Sequence, residues 1–100
     1  MAVNIYVSQL LDRYGLILPE KQLRILDGYY NNDLSLSEIA ENEGISRQGV
    51  SDFVKRGEAL LTEYEQKLHL CETVAELKAA AEKVNNGEDI STVIEIIEKL

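Results

Sequence analysis

Apolar residues recur at spacings of three and four along almost the whole chain, and a single proline interrupts them. That period belongs to helices that bury one face, so it restricts the chain to an all-α fold. Val3, Tyr6, Val7, Leu10, Leu11 and Tyr14 predict a helix over residues 3–14, closed by Gly15. Pro19 opens a second over residues 19–30 with Leu23, Ile25, Leu26, Tyr29 and Tyr30 on its apolar face, and Asn31-Asn32-Asp33 supplies turn chemistry after it. No stretch alternates apolar with polar residues as a half-buried strand would, and no internal repeat competes with the helical reading.

Start and stop signals divide the rest. Ser35 stands three residues before Glu38, the spacing at which hydroxyl and carboxylate satisfy each other's free backbone N–H groups, so a third helix begins at Leu36. It ends near Glu43, because Gly44 takes a left-handed conformation at low cost. Ser46 caps a fourth helix, long and unbroken by proline, with Val50, Phe53, Val54, Leu60, Leu61, Tyr64, Leu68 and Cys71 at helical spacing. The pair Thr73 and Glu76 allows a break near residues 70–73, and Asn85-Asn86-Gly87 ends the run. Asp89 is expected to cap a last helix carrying Ile90, Val93, Ile94, Ile97 and Leu100.

Residues 36–55 have the parts of a helix-turn-helix in order. Ile39 and the small Ala40 lie on the first helix, Gly44 and Ile45 make the turn, and Val50 with Phe53 is expected to hold the second helix against the first. The second helix then presents Arg47, Gln48, Ser51 and Lys55, side-chain types that reach base edges and phosphates in a major groove, and Arg56 adds a phosphate contact. Against this stands a solvated charged face, the commoner meaning of such residues. Asp52 favours that reading, since a carboxylate repels phosphate and suits only a cytosine amino group. Eighteen acidic against ten basic residues leave a formal charge of -8, which opposes long-range attraction to nucleic acid, so any contact must come from a local basic edge.

The segment LPEKQLRILDGYYNNDLSLSEIAENEGISRQGV resembles region four of the sigma-70 factors, with its LP-x-x-Q, helix and LS-x-x-EIA-x-x-x-GIS pattern, over Leu18 to about Arg56. The fuller run from LLDRYGLILPEKQ through NDLSLSEIA and ISRQGVSDFVKRGEALL to EYEQKLHL resembles the YlxM family over residues 10–70. The resemblance implies a sigma-region-four-like helical domain that binds double-stranded DNA in a regulatory role. It also implies participation in the signal recognition particle pathway, a link that rests on gene neighbourhood. The chain departs from the sigma pattern after Val50, where Ser51 and Asp52 replace residues that tend to be basic, and this leaves open a protein-binding adaptor of signal recognition particle components that does not touch DNA.

A chain of 100 residues fits one domain, residues 1–100, with the sigma-like segment at 18–56 and a helical extension at 57–100. Leu60, Leu61, Tyr64, Leu68, Leu77, Val84, Val93, Ile94 and Ile97 offer that extension more apolar surface than a small domain readily covers, so a homodimer is expected there, unless the last helix folds back and buries the stripe. A lone cysteine, Cys71, excludes an internal disulfide, and there is no apolar run of about 18 residues for membrane insertion. Met1 to Gln9 mixes apolar residues with Asn4, Ser8 and Gln9 and has no basic flank, so no signal peptide is expected and the location is read as cytoplasmic. His69 and Cys71 are read as packing residues, Tyr29 and Tyr30 as core cover, and the glutamates as solvated. No catalytic group, metal site or cofactor is expected, and the protein is read as a non-enzyme.

Overall fold

The computed structural model describes residues 4–100 and contains, among them, helices and no strand. The helices are α1 (Ile5–Tyr14), α2 (Glu20–Tyr30), α3 (Leu36–Glu43), α4 (Arg47–Leu68), α5 (Leu70–Asn85) and α6 (Ser91–Glu98), with a 3-10 turn at Gly15–Ile17. They form two compact units, divided after Leu68. The stretch 57–68, expected to begin an extension, is therefore the second half of α4 and part of the first unit.

In the first unit α4 is the central strut, packed on α1, α2 and α3. Its buried stripe is Val50, Val54, Gly57 and Leu61, spaced three or four apart on one helical face. Val7, Leu10, Leu11 and Tyr14 of α1 and Ile25 and Leu26 of α2 complete the core with Leu18, Ile39 and Ala40. Two long-range polar contacts set how α4 lies. Tyr14 donates its hydroxyl to Glu65, with its ring 6.0 Å from that of Tyr64. The buried Gln22 side chain donates to the Phe53 carbonyl at 3.2 Å, beside the glycine that lets α2 come close. A methyl group on Gly57 would stand 2.1 Å from Leu26 Cδ1, so only glycine fits that crossing without displacement.

The first helix is described from Ile5, capped by Asn4, whose side chain accepts from the Val7 N–H; Val3 lies outside the described residues. Gly15 does not reverse the chain, since its φ of -55° keeps it right-handed and the helix tightens into the 3-10 turn.

In the second unit α6 folds onto α5 through the Asn85–Gly87 turn, where Gly87 has φ +94°. Ala80 and Ile96 are buried there, whereas Ile90, Ile94, Ile97 and Leu100 stay 54, 46, 55 and 77% exposed. The break that the sequence allows near residues 70–73 falls beside that window at His69, left-handed at φ +53°, which stands at the N-cap of α5; Thr73 is not the cap, since its N–H bonds back to the His69 carbonyl. Asp89 is not the cap of the last helix: α6 starts at Ser91 behind Ile90, with no side-chain cap bond. Its Val93 and Ile94 N–H groups bond instead to the Ile90 carbonyl, so packing of the apolar face carries that terminus.

Candidate nucleic-acid interface

Local chemistry builds the α3–turn–α4 motif at both ends. Ser35 Oγ accepts from the Glu38 N–H at 3.1 Å, and Glu38 Oε1 accepts from the Ser35 N–H at 3.1 Å, so two otherwise open donors are satisfied. Gly44 closes α3 at φ +69°, and the Ile45 N–H reaches back to the Ala40 carbonyl at 3.1 Å. Ser46 Oγ then accepts from the Gly49 N–H at 2.9 Å and starts α4. Ile39 and Ala40 are buried, Ile45 is half-buried, and Val50 is fully enclosed. Ile39 also lies 3.8 Å from where a Cβ on Gly28 would stand, which seats α3 against α2. Arg24 of α2 ties the end of α3 by a two-pronged ion pair to Glu43, both bonds at 2.7 Å. That pairing holds the Glu43 carboxyl below its ordinary range and raises the Arg24 guanidinium.

Phe53 does not pack as expected. Val54, four residues after Val50, is the buried residue, while Phe53 is half-buried at the edge of the stripe and faces α2. Lys21 Nζ lies 5.3 Å and the Arg56 guanidinium carbon 4.9 Å from its ring centroid, so two cations from different helices share one aromatic ring. Lys21 thereby joins the basic edge, a residue the helical spacing alone gave no reason to select; it sits in the LPEKQ segment, but only packing brings it to α4.

The residues singled out from the sequence fall into two adjacent rows on the first turns of α4, since positions four apart lie one above the other. One row is Arg47, Ser51 and Lys55; the other is Gln48, Asp52 and Arg56. All are exposed except Ser51, which is half-buried. Gln48 is tied to Asp52 by a 3.0 Å hydrogen bond from its amide nitrogen. His69 and Cys71 belong to the second unit, where His69 Nδ1 lies 3.1 Å from Glu72 and Cys71 is half-buried. Tyr29 and Tyr30 meet edge to face at 5.0 Å, both half-buried. Among the described residues, no group of three or more histidine, cysteine or carboxylate side chains is placed to hold a metal ion. No helix of the described residues is long and apolar enough to cross a membrane.

A capped helix, a glycine turn and a second helix seated by Val50 and Val54, within an all-helical chain, define a helix-turn-helix protein. Residues 1–100 match the family model described as "Putative helix-turn-helix protein, YlxM / p13 like". The chain belongs to this family. It is 47% identical to a UPF0122 protein of Clostridium kluyveri over 100 residues, which cover all of this chain and 82% of that protein. A UPF0122 protein of Halalkalibacterium halodurans is 40% identical over 94% of this chain and 93% of its own length. One from Acetivibrio thermocellus reaches 59% identity over 61 residues, 61% of this chain and 52% of that protein.

Proposed function

We propose that this protein is a non-enzymatic, DNA-binding regulatory protein that sets the start of α4 into a major groove. The observation that supports it most is that Arg47, Gln48, Ser51, Lys55 and Arg56 share the outer face of a helix whose other face is buried by Val50 and Val54. Arg47 and Gln48 approach base edges, Ser51 and Lys55 follow along the groove, and Arg56 with Lys21 meets the phosphate backbone. The likeness of Leu18–Arg56 to sigma region four supports the same docking. Fluorescence anisotropy with duplex DNA at low salt tests it: Arg47→Glu with Lys55→Glu abolishes binding in a variant shown to be folded, and undiminished binding refutes this surface as the reader.

A second reading has its own support in the net charge of -8, the Asp52 carboxylate and the exposed apolar residues of α6. In it the protein is an adaptor for signal recognition particle components, as the family resemblance implies, and its location is the cytoplasm. Salt separates the two, because phosphate contacts release counterions and weaken steeply with salt, whereas an apolar protein interface is far less sensitive. Either reading accommodates a homodimer through α6. A two-helix unit with only Ala80 and Ile96 buried among its described residues gains from a second copy on Ile90, Ile94 and Ile97. Sedimentation equilibrium showing a monomer mass at high micromolar concentration refutes the dimer.

A further inference from the structure

Asp52 is an odd residue on a face meant for DNA, since its carboxylate repels the backbone that Lys55 and Arg56 attract. The structure gives it a defined arrangement. Gln48 Nε2 donates to Asp52 Oδ1 at 3.0 Å, and both side chains are exposed. An ionised carboxylate only accepts, so the nitrogen of the Gln48 amide must be the atom turned toward it. The amide oxygen is thereby left free of that contact, and Asp52 keeps its second oxygen. One of the two rows therefore offers acceptors at two successive positions.

Resting on the DNA reading above, we propose that the Gln48–Asp52 pair is the specificity element of this helix and that it selects cytosine in the major groove through the N4 amino group. Acceptors on the protein need donors on the bases, and the major groove exposes two kinds, cytosine N4–H and adenine N6–H. Adenine sets its N6 beside the N7 acceptor, which repels a carboxylate that approaches both. Cytosine has a C–H at the neighbouring position and no such repulsion. The guanine paired with that cytosine turns O6 and N7 toward the adjacent row, where Arg47 and Lys55 supply cations. The hydrogen bond from Gln48 restrains the Asp52 carboxylate before DNA arrives, which lowers the ordering cost of the contact.

Selection of the full chain against a random duplex pool at low salt, in parallel with Asp52→Ala, tests the inference. The wild type enriches cytosine at one position of the bound sites by about ten-fold, the scale of a single good base contact. Asp52→Ala loses that preference yet binds mixed duplex as tightly or more tightly, because a repelling charge is gone. A general loss of fold would weaken every sequence alike, so retained affinity with lost preference marks a reading role. Placing N4-methylcytosine at the enriched position weakens the wild type and leaves Asp52→Ala unaffected. Bound pools without a cytosine preference, or a preference that survives Asp52→Ala, overturn this inference alone. No retained duplex in the wild type overturns the DNA reading and this inference with it.

Discussion

Replacing Gly57 by alanine inserts one methyl group where α2 and α4 cross. That carbon would lie 2.1 Å from Leu26 Cδ1, 3.0 Å from Cγ and 3.3 Å from Cδ2. Carbon atoms prefer about 3.5–4.0 Å, so the nearest methyl would have to retreat by roughly 1.4 Å. Leu26 is fully enclosed and has no solvent to swing into, and the close approach of its Cγ means that turning the end of the side chain does not suffice. Overpacking of this kind costs about 1–3 kcal/mol or more. Alanine is favoured over glycine inside a helix by about 1 kcal/mol, which offsets part of it. An overpacking cost near the upper part of that range, less this offset, leaves a net loss of about 1–2 kcal/mol, or a fall in midpoint of roughly 5–15 °C for a unit of this size. All 5 tyrosines lie before residue 65, so tyrosine fluorescence and near-UV circular dichroism follow the first unit without a signal from the second. In the Leu26→Ala background the added methyl fills space instead of colliding, and the same substitution loses its penalty. A Gly57→Ala midpoint equal to or above that of the wild type would show that helix propensity dominates and that the two helices do not meet at this glycine.

Ala40→Glu places an unpartnered carboxylate in a buried position and is expected to abolish cooperative unfolding of the first unit in a urea titration; an unchanged midpoint would refute the helix crossing there. Lys21→Ala, removing the cation that shares the Phe53 ring with Arg56, is expected to weaken duplex binding uniformly across sequences and reduce the salt slope by about one. An unaltered slope removes Lys21 from the interface. The Glu43 carboxyl is held below its ordinary value of 4.5 by Arg24, so its contribution to stability is present above that value and is lost as pH falls through the depressed one. Burial raises the carboxyl of Glu58, so its contribution has the opposite sign: present below 4.5 and lost as pH rises. Acid titration of Glu43→Gln should show a shallower loss below pH 4.5, and Glu58→Gln should be more stable than the wild type at neutral pH; the reverse of either result contradicts the assigned environment.

The sequence by itself determined the helical class and most of the punctuation. Ser35 with Glu38, Gly44, Ser46 and Gly87 act over three to five residues, where a hydroxyl, a carboxylate or a freely rotating backbone satisfies groups that the helix leaves open. Those bonds are nearly the same in any fold, so spacing suffices to read them. The order of Ile39, Ala40, Gly44 and Val50 was legible for the same reason, and the likeness to a known family extended it. Tertiary structure decided what meets across the unit. Phe53 occupied a plausible helical position for the core, yet the crossing of α2 over α4 left that place to Val54 and turned the ring toward Lys21, on a different helix. Gly57 reads in sequence as a weak point in a helix; its meaning comes from Leu26, 31 positions earlier, and from the nearby bond between Gln22 and the Phe53 carbonyl. Likewise Thr73 and Asp89 had the chemistry of caps but not the position, because a side chain caps only where packing lets the chain turn, and that turn fell at His69 and Ile90. Local hydrogen bonding is set by neighbours in the chain, whereas burial is set by which faces close together, and a single sequence specifies the second only through the fold it produces.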